Sequence, residues 1–477
     1  MGDLANATKA LNAHRFGVTT AGTNIANVNN PDYARQKAIL GDRGTIQTLV
    51  GPRGLGVEVV GFAQMRDTVL DREVLRETSI NSSLQSQYDA LAKAEANMGQ
   101  EINRTGDSAF IDGASGSSAG GLAEIVNDYF NAFHSLSANP SSDAEKESLL
   151  QKSEMLVQKL NVTSKRFSDL KDDLSSEVQT DLGDTNRLIE EIARLNAEIA
   201  RAEASNAGAA LTLRDQRQSR LAALSEFIQI DVSNIKGSGG QVSVSVSTIN
   251  GSFKLVNEGR SEQISFDDSI PGAPKFAIES SGEQILIKGG SMHGAVTARD
   301  GGIQDYIGSL DRLASEMVVQ VNTLYNTGTA PGNTNFFTDT GNPAQRTAAG
   351  ISLAATLSTT TLRTTNAAAQ EQGDNTLVLA IAELDGTEFS GLGNRSFSSF
   401  YRATVSGLAQ DVATVESRLE NEGIVFNLLK EQQDSVSGVS IDEEMTDMMK
   451  FQRAFEATAR HIKAIDEMLD VIINRLI

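Results

Sequence analysis

Residues 4–36, LANATKALNAHRFGVTTAGTNIANVNNPDYARQ, carry the clearest periodic pattern near the start of the chain. Apolar residues recur there every seven positions, and a second row of mostly small residues follows three positions later. Two rows with this spacing form one stripe along a helix and are typical of a coiled coil. Because Pro31 disfavours helix at the residue before it, we expect this helix to end near Asn29. The two rows are Leu4, Leu11, Val18 and Ile25, and Ala7, His14, Ala21 and Val28.

The last forty residues have the same periodicity. Ser440 and Glu443 have the spacing of a capping box, which marks the start of a helix. Acidic residues 442–444 fall in its first turn, where the helix dipole favours anions, so helix capping accounts for all three. Gly438, just upstream, is expected to act as a hinge. The apolar row that predicts the helix is Ile441, Met448, Phe455, Ile462, Leu469 and Leu476.

The middle of the chain predicts long helices around one block of strands. Residues 241–246, QVSVSV, alternate strictly and predict a strand, and Asn250-Gly251 predicts a hairpin turn after it. The expected fold class is therefore mainly α with an inserted β domain, in a nested multi-domain chain that includes a long-helix bundle. The predicted domains are a terminal coiled-coil domain of 1–35 plus 437–477, a mostly helical domain of 36–236 plus 299–436 with a variable segment 328–395, and a β-rich outer domain of 237–298.

Composition and motifs argue against several functional classes. The chain has 62 acidic and 41 basic residues and a net charge of −21, which disfavours binding to a phosphate backbone. It has no cysteine, and its four histidines are too scattered for a metal site, so we expect no metal and no cofactor. The sequence contains no G-x-S-x-G, H-E-x-x-H or P-loop motif, and we therefore expect no enzyme activity. We also expect no cleaved signal peptide and no membrane insertion.

The segment from residue 26 to residue 36, ANVNNPDYARQ, resembles the N-terminal signature of the flagellar rod, hook and hook-associated axial proteins. Two positions depart from that signature: Asn30 stands where threonine is usual, and Asp32 stands where glycine is usual. Both residue types tolerate turns, so we expect the turn to be kept. The matching residues, which we expect to set a bend after the first helix, are Asn27, Pro31, Tyr33, Arg35 and Gln36.

Further segments narrow this resemblance to the hook-associated protein 1 family, whose members form the first hook–filament junction. Residues 438–444 (GVSIDEE) and 449–455 (MKFQRAF) resemble the C-terminal signature of that family. Residues 195–199 (LNAEI) and 213–217 (LRDQR) are similar to its helical middle, and residues 294–300 (GAVTARD) also match. The alternatives are another axial protein, such as a hook or distal rod protein, and a soluble coiled-coil adaptor.

The resemblance implies a structural subunit in the layer between hook and filament. The implied partners are identical copies in a ring of about eleven, the hook protein below, hook-associated protein 3 above, and an export chaperone on the C-terminal helix. The implied location is the extracellular flagellum, reached through the flagellar type III apparatus. We expect the terminal helices to be largely disordered until they assemble. The expected assembly interface is Leu4, Leu11, Val18, Ile25, Met448, Phe455, Ile462 and Leu469.

Overall fold

The computed structural model describes residues 2–42, 44–48, 51–54, 56–98, 121–204, 208–269, 275–326, 335–365 and 373–475. Most of these residues lie in ten α-helices, which confirms a mainly α chain with an inserted β region. The helices are α1 (Gly2–Ala26), α2 (Thr68–Met98), α3 (Leu122–Ala138), α4 (Asp143–Glu203), α5 (Leu211–Phe227), α6 (Ser291–Ala298), α7 (Gln304–Tyr325), α8 (Thr376–Ala382), α9 (Phe397–Ser437) and α10 (Ile441–Arg475).

The first and last helices form an antiparallel pair. Asn24 of α1 contacts Glu444 of α10, and Gly17, seven residues earlier, faces Phe451, seven residues later. The paired terminal helices expected from the two heptad patterns are therefore confirmed. In this register the start of α1 lies opposite residues near 466 of α10. Met468 and Val471 extend beyond that point, which explains why they are 57% and 42% exposed.

The helical body surrounds one continuous apolar core. Its longest helix, α4, has 61 residues and begins at Ser142, whose side chain accepts a hydrogen bond from the backbone N–H of Glu145. Stacked and edge-on aromatic pairs join α3 to its neighbours; Phe130 stacks on Phe397 of α9 at a centroid distance of 5.6 Å. Helix α2 packs along α9, so the body continues up to the point where α10 begins.

The inserted β region is one antiparallel sheet. Its strands are β5 (Asp231–Asn234), β6 (Val242–Thr248), β7 (Gly251–Asn257), β8 (Arg260–Ser261), β9 (Ile264–Asp267), β10 (Lys275–Ile278) and β11 (Gln284–Ile285). Strand β6 and the turn at 250–251 are where the alternating pattern predicted them. Asn196 of α4 anchors the sheet: its amide donates to the carbonyl oxygens of Val242 and Glu258, both at 2.8 Å.

A second β element follows α1, and the sequence analysis did not anticipate it. Strands β1 (Gln36–Asp42) and β4 (Val57–Gln64) pair antiparallel with a bulge after Ile39, and between them lies a second pair, β2 (Thr45–Thr48) and β3 (Gly51–Gly54). We call β1 and β4 the hairpin. The bulge interrupts the period-2 alternation on which strand prediction depends, which is why the pattern was weak.

The segment expected to vary, 328–395, has little regular structure where it is described, but it packs tightly. Phe336 and Phe337 are fully buried. Asn322 of α7 fixes them, because its side-chain oxygen accepts from both of their backbone N–H groups, at 3.0 and 2.9 Å. A buried asparagine thus replaces strand pairing as the partner for these backbone groups. In the described ranges, none of the helices has an apolar stretch long enough to cross a bilayer.

Replacing either of two helical glycines by alanine should change the free energy of unfolding, in opposite directions. A Cβ at Gly294 of α6 would lie 2.1 Å from the carbonyl oxygen of Ser83 in α2, whereas a Cβ at Gly308 of α7 would meet nothing within 4 Å. We expect Gly294→Ala to lower the free energy of unfolding by about 1–3 kcal/mol through overpacking. We expect Gly308→Ala to raise it by about 0.5–1 kcal/mol, because alanine has less backbone entropy to lose.

Urea-induced unfolding of the two variants beside the parent chain measures both effects. Equal changes in the two variants would show that the contact between α2 and α6 is looser than the structure indicates.

Candidate functional site

The site is the place where both terminal helices meet the helical body, which we call the joint. Asn24 of α1 is 1% exposed and makes four hydrogen bonds there. Its amide nitrogen donates to the Gln36 carbonyl oxygen and to Oε2 of Glu444, both at 2.9 Å. Its amide oxygen accepts from the Gln36 backbone N–H at 3.0 Å and from the Tyr33 hydroxyl at 2.7 Å. One buried amide therefore holds α1, the start of β1 and α10 in a single arrangement.

An ion-pair cluster completes the joint on the C-terminal side. Arg35 donates from Nε to Glu444 at 2.6 Å and from Nη1 to Glu443 at 2.7 Å, and its Nη2 lies 3.9 Å from Asp447. Burial alone would lower the pKa of Arg35. The carboxylates of Glu444 and Glu443 have the larger combined effect, so the pKa of the guanidinium is raised. Glu444 is only 3% exposed. Residues 443 and 444 lie in the first turn of α10, as the sequence analysis expected, and they have a second role there because they bind Arg35.

Tyr33 closes the joint on the side of the body. Its hydroxyl donates to Asn24, and its ring is half-buried. Burial, together with the nearby carboxylates of Asp215 and Glu444, raises the pKa of Tyr33 to about 12. The hydroxyl therefore keeps its proton, and its role as a donor, throughout the neutral range.

Asp215 of α5 fastens the loop before β1 to the body. Its Oδ1 accepts from Nη2 of Arg66 at 2.8 Å and from the Ala34 backbone N–H at 3.4 Å. Burial raises the pKa of Asp215, and the hydrogen bond from Arg66 opposes that rise. Asp32, at the position where the axial signature usually has glycine, accepts a hydrogen bond from Ser219 of α5 at 2.8 Å. This departure from the signature thus adds a contact between loop and body.

The linker between α9 and α10 belongs to the joint as well. Helix α9 ends where the Gly438 backbone N–H donates to the Asp434 carbonyl oxygen at 2.8 Å, and a Cβ on Gly438 would lie 2.3 Å from that oxygen. The Ser437 carbonyl oxygen accepts from the Arg35 backbone N–H at 2.9 Å. The backbone of the signature segment is therefore hydrogen-bonded to the break between the last two helices.

Beyond the joint, small residues let α1 and α10 approach closely. A Cβ on Gly17 would lie 2.6 Å from the ring of Phe451, and the His14 ring is 6.5 Å from that ring between centroids. From Leu4 to Ala26 of α1, the buried residues are small or polar. They are Ala7, Ala13, Gly17, Thr20, Ala21 and Asn24.

The structure separates the predicted site residues into two groups. Tyr33, Arg35 and Gln36 lie in the joint, whereas Asn27 bonds within α1 to the Thr23 carbonyl oxygen at 2.9 Å and Pro31 is exposed. The eight predicted assembly residues are all half-buried in the single chain, so each keeps free surface; they are Leu4, Leu11, Val18, Ile25, Met448, Phe455, Ile462 and Leu469.

Sequence reasoning missed Asn24 and Glu444, the two most buried polar residues of the joint. Asn24 lies seven residues after Gly17, but both positions fall outside the two rows that the periodicity picks out, so no periodic signal marks Asn24. Glu444 gave no such signal, since an acid in the first turn of a helix is common. Within the described residues, no group of three or more metal-ligating side chains is arranged to hold a metal ion.

The chain has a long helical body with an inserted sheet, and both of its ends leave this body as one helix pair. This is the architecture of a structural subunit that assembles along an axis. Residues 109–337 match the family model described as the flagellar hook-associated protein FlgK helical domain. Residues 432–476 match the model described as the flagellar basal body rod FlgEFG protein C-terminal region.

Curated relatives match along nearly the whole chain. Flagellar hook-associated protein 1 of Bacillus subtilis is 26% identical over 99% of this chain and 97% of its own length. The protein of the same name from Escherichia coli is 23% identical over 99% of both chains. The flagellar hook junction protein FlgK from Burkholderia pseudomallei has a similar fold, with a TM-score of 0.59, 14% identity, and coverage of 77% of this chain and 100% of that one. The chain is thus similar along nearly its whole length to proteins named flagellar hook-associated protein 1 and contains the helical-domain match of that family.

We predict that Asn24 controls local opening of the joint. Asn24→Leu leaves the Gln36 N–H and the Glu444 carboxylate each without one buried partner, at a cost of about 1–3 kcal/mol per group. Amide hydrogen exchange should therefore become about thirty times faster or more in peptides that contain Gln36 and Glu444. Peptides from the α3–α4 core should exchange as in the parent chain.

The matched control is Asn12→Leu, an exposed position on the same helix. Equal exchange in the two variants would contradict the role assigned to Asn24.

Proposed function

We propose that this chain is a structural subunit of the bacterial flagellum that forms the junction layer between hook and filament and assembles through its terminal helices. The observation that carries the proposal is the joint, in which Asn24, Arg35 and Glu444 hold the two chain ends together beside the body. A subunit built this way presents one helix pair to an assembly axis and keeps its folded body outside. The full-length likeness to proteins named flagellar hook-associated protein 1 supports the same role.

The partners follow from the place of such a subunit in a tube. We propose identical copies at the sides in a ring of about eleven, the hook protein on one side of the layer, and hook-associated protein 3 on the other. An export chaperone would bind the C-terminal helix before assembly, and the chain would reach the cell exterior through the flagellar type III apparatus. The half-buried apolar rows of α1 and α10 support this, because a two-helix pair cannot cover them alone.

The proposed role is mechanical rather than catalytic, and the two alternatives are weaker. A hook or distal rod protein would share the C-terminal region, but the match to a FlgK helical domain over 109–337 favours the junction protein. A soluble coiled-coil adaptor would not need a nested chain whose ends return to one joint. The 61-residue helix α4 fits a long rigid body.

Deletion of the chromosomal copy in the source bacterium tests this function. We expect cells with hooks but no filaments, and filament protein shed into the medium, because filament subunits would lack the layer on which they are added. Electron microscopy of the cells and an immunoblot of the medium measure both outcomes. Filaments of normal number and attachment on the deletion strain would refute the proposal.

We predict that Ile462→Asp blocks incorporation and leaves the body folded. Ile462 is half-buried on α10, and the added carboxylate would be desolvated when a neighbouring copy covers this surface. Complementation of the deletion strain, scored as the fraction of cells with filaments, measures the loss. Thermal unfolding of the purified chain checks the body.

His461→Asp is the matched control, because His461 is exposed on the adjacent face of the helix. Filaments restored equally by both variants would show that the predicted row of α10 is not part of the interface.

A further inference from the structure

The second half of α9, residues 416–437, leads from the body to the joint and packs along α2. It has little apolar support there. Gln433 is the one buried residue of α9 in this half, whereas Ile424 and Leu428 are 69% and 64% exposed. Gly423 weakens the helix further, because glycine costs stability in a helix interior and no neighbour is close enough to require it. The polar contacts with α2 therefore decide how firmly this half of α9 is held.

Two hydrogen bonds to α2 hold the ends of this half. Near the joint, Nε2 of Gln433 donates to Oδ1 of Asp71 at 2.6 Å, and both side chains are buried. At the other end, the hydroxyl of Tyr88 donates to Oε1 of Glu416 at 3.4 Å. The two helices run antiparallel, so the residues of α9 between these bonds face the residues of α2 between them.

A pair of carboxyl groups lies between these two hydrogen bonds. Glu77 of α2 is 5% exposed, and its Oε1 accepts from Nη2 of Arg76 at 3.1 Å. Its Oε2 is buried and accepts no hydrogen bond from any residue that the structure describes. The carboxyl group of Glu422 on α9 is within hydrogen-bonding reach of Glu77. Two ionised carboxylates have no hydrogen to share, so Glu77 would then keep a buried oxygen without a partner.

The charges around the pair leave it negative, since two arginines face three carboxylates. Arg76 lies 2.7 Å from Glu73 and 3.1 Å from Glu77, so its charge is divided between them. Arg418 on α9 is the other cation that acts on Glu422. The hydrogen bond with Glu77 and, after it, burial raise the pKa of Glu422, and the two arginines oppose this rise without cancelling it. The pair therefore binds a proton more readily than a free glutamate does.

We propose that Glu77 and Glu422 share one proton when α9 is packed on α2, and that release of this proton loosens the second half of α9. In the packed state one carboxyl group donates its O–H to an oxygen of the other, and the pair carries one negative charge. When the proton passes to solvent, the pair carries two negative charges and loses this hydrogen bond. The helix can then bend away from α2 between its two hydrogen-bonded ends, which changes the direction of the joint relative to the body.

The direction of the pH dependence follows from the raised pKa of Glu422. When α9 is not packed on α2, the glutamate has its ordinary pKa of 4.5. The packed state binds the proton more tightly, so it gains stability as the pH falls through the raised pKa, and the gain is complete below the ordinary value. The second half of α9 is therefore held least firmly at neutral and alkaline pH.

Amide hydrogen exchange on the purified full-length chain, with Glu422→Gln beside the parent, tests the shared proton. The glutamine amide can donate to Glu77 at every pH. At about pH 8 we therefore expect peptides from 416–437 to exchange about tenfold more slowly, or slower still, in the variant. The ratio of the two rates, compared at the same pH, should approach one as the pH is lowered to about 5. Because the chain is studied alone, the result does not depend on the proposed function.

Glu420→Gln is the matched control, because Glu420 is exposed on the same helix and the substitution removes the same charge. This variant should exchange as the parent does at every pH, and peptides from α3 and α4 should be unchanged in both variants. A rate ratio for Glu422→Gln that does not vary with pH would overturn the proposal, and so would equal slowing by Glu420→Gln. Faster exchange in Glu422→Gln than in the parent at every pH would show that the ionised carboxylate is stabilising, with the same consequence.

A double-variant cycle provides a second measurement. Glu77→Gln should remove the pH dependence of exchange in 416–437 as Glu422→Gln does, because its amide can donate to Glu422. The effects of the two substitutions should not add in the double variant, since either one alone removes the same pair of like charges. Additive effects would show that the two carboxyl groups do not interact and would overturn the proposal.

Discussion

The geometry of the chain ends depends on one buried carboxylate. Glu444 accepts hydrogen bonds from Arg35 at 2.6 Å and from Asn24 at 2.9 Å, and these three residues come from three separate segments of the chain. A buried carboxylate without such partners would be strongly destabilising, so neither α1 nor the start of β1 can move away from α10 without that cost. Hydrophobic packing would tolerate a shift of one helix along the other. The ion pair and the amide permit a single register.

From that register the other contacts follow. With Asn24 opposite Glu444, the residue opposite Phe451 must be small, and Gly17 is there. The loop after α1 then lies against α5, where Asp215 and Arg66 bind it, and Arg35 is close enough to Ser437 to bond the linker before α10. The position of the helix pair on the body is thus set by polar contacts. Apolar contacts supply most of the buried area between the helix pair and the body, but they do little to fix the orientation of the pair.

The sequence predicted the fold class, both terminal helices, and strand β6 with its turn, because each of these has a strict period or a strong turn signal. It predicted the importance of Tyr33, Arg35 and Gln36 only through the resemblance to a family. The hairpin was missed because its bulge and its outward aliphatic residues remove the alternation that marks a half-buried strand. Asn24 and Glu444 were missed for a different reason: their roles arise from partners 9 to 420 residues away, and no local pattern encodes such a contact.

The two parts of the chain differ in how completely they bury their apolar residues. The body closes its own core, in which residues such as Phe130, Phe167 and Val321 are 0% exposed. The terminal pair does not: its apolar rows are half-buried, and α10 and the hairpin leave further aliphatic side chains open. A two-helix pair with a two-stranded hairpin has too little interior to do otherwise. The body therefore buries a continuous apolar core within the single chain, whereas the terminal unit leaves much of its apolar surface open. The proposed assembly through the terminal helices depends on this difference, since a terminal unit with a closed core would have no apolar surface left with which to assemble.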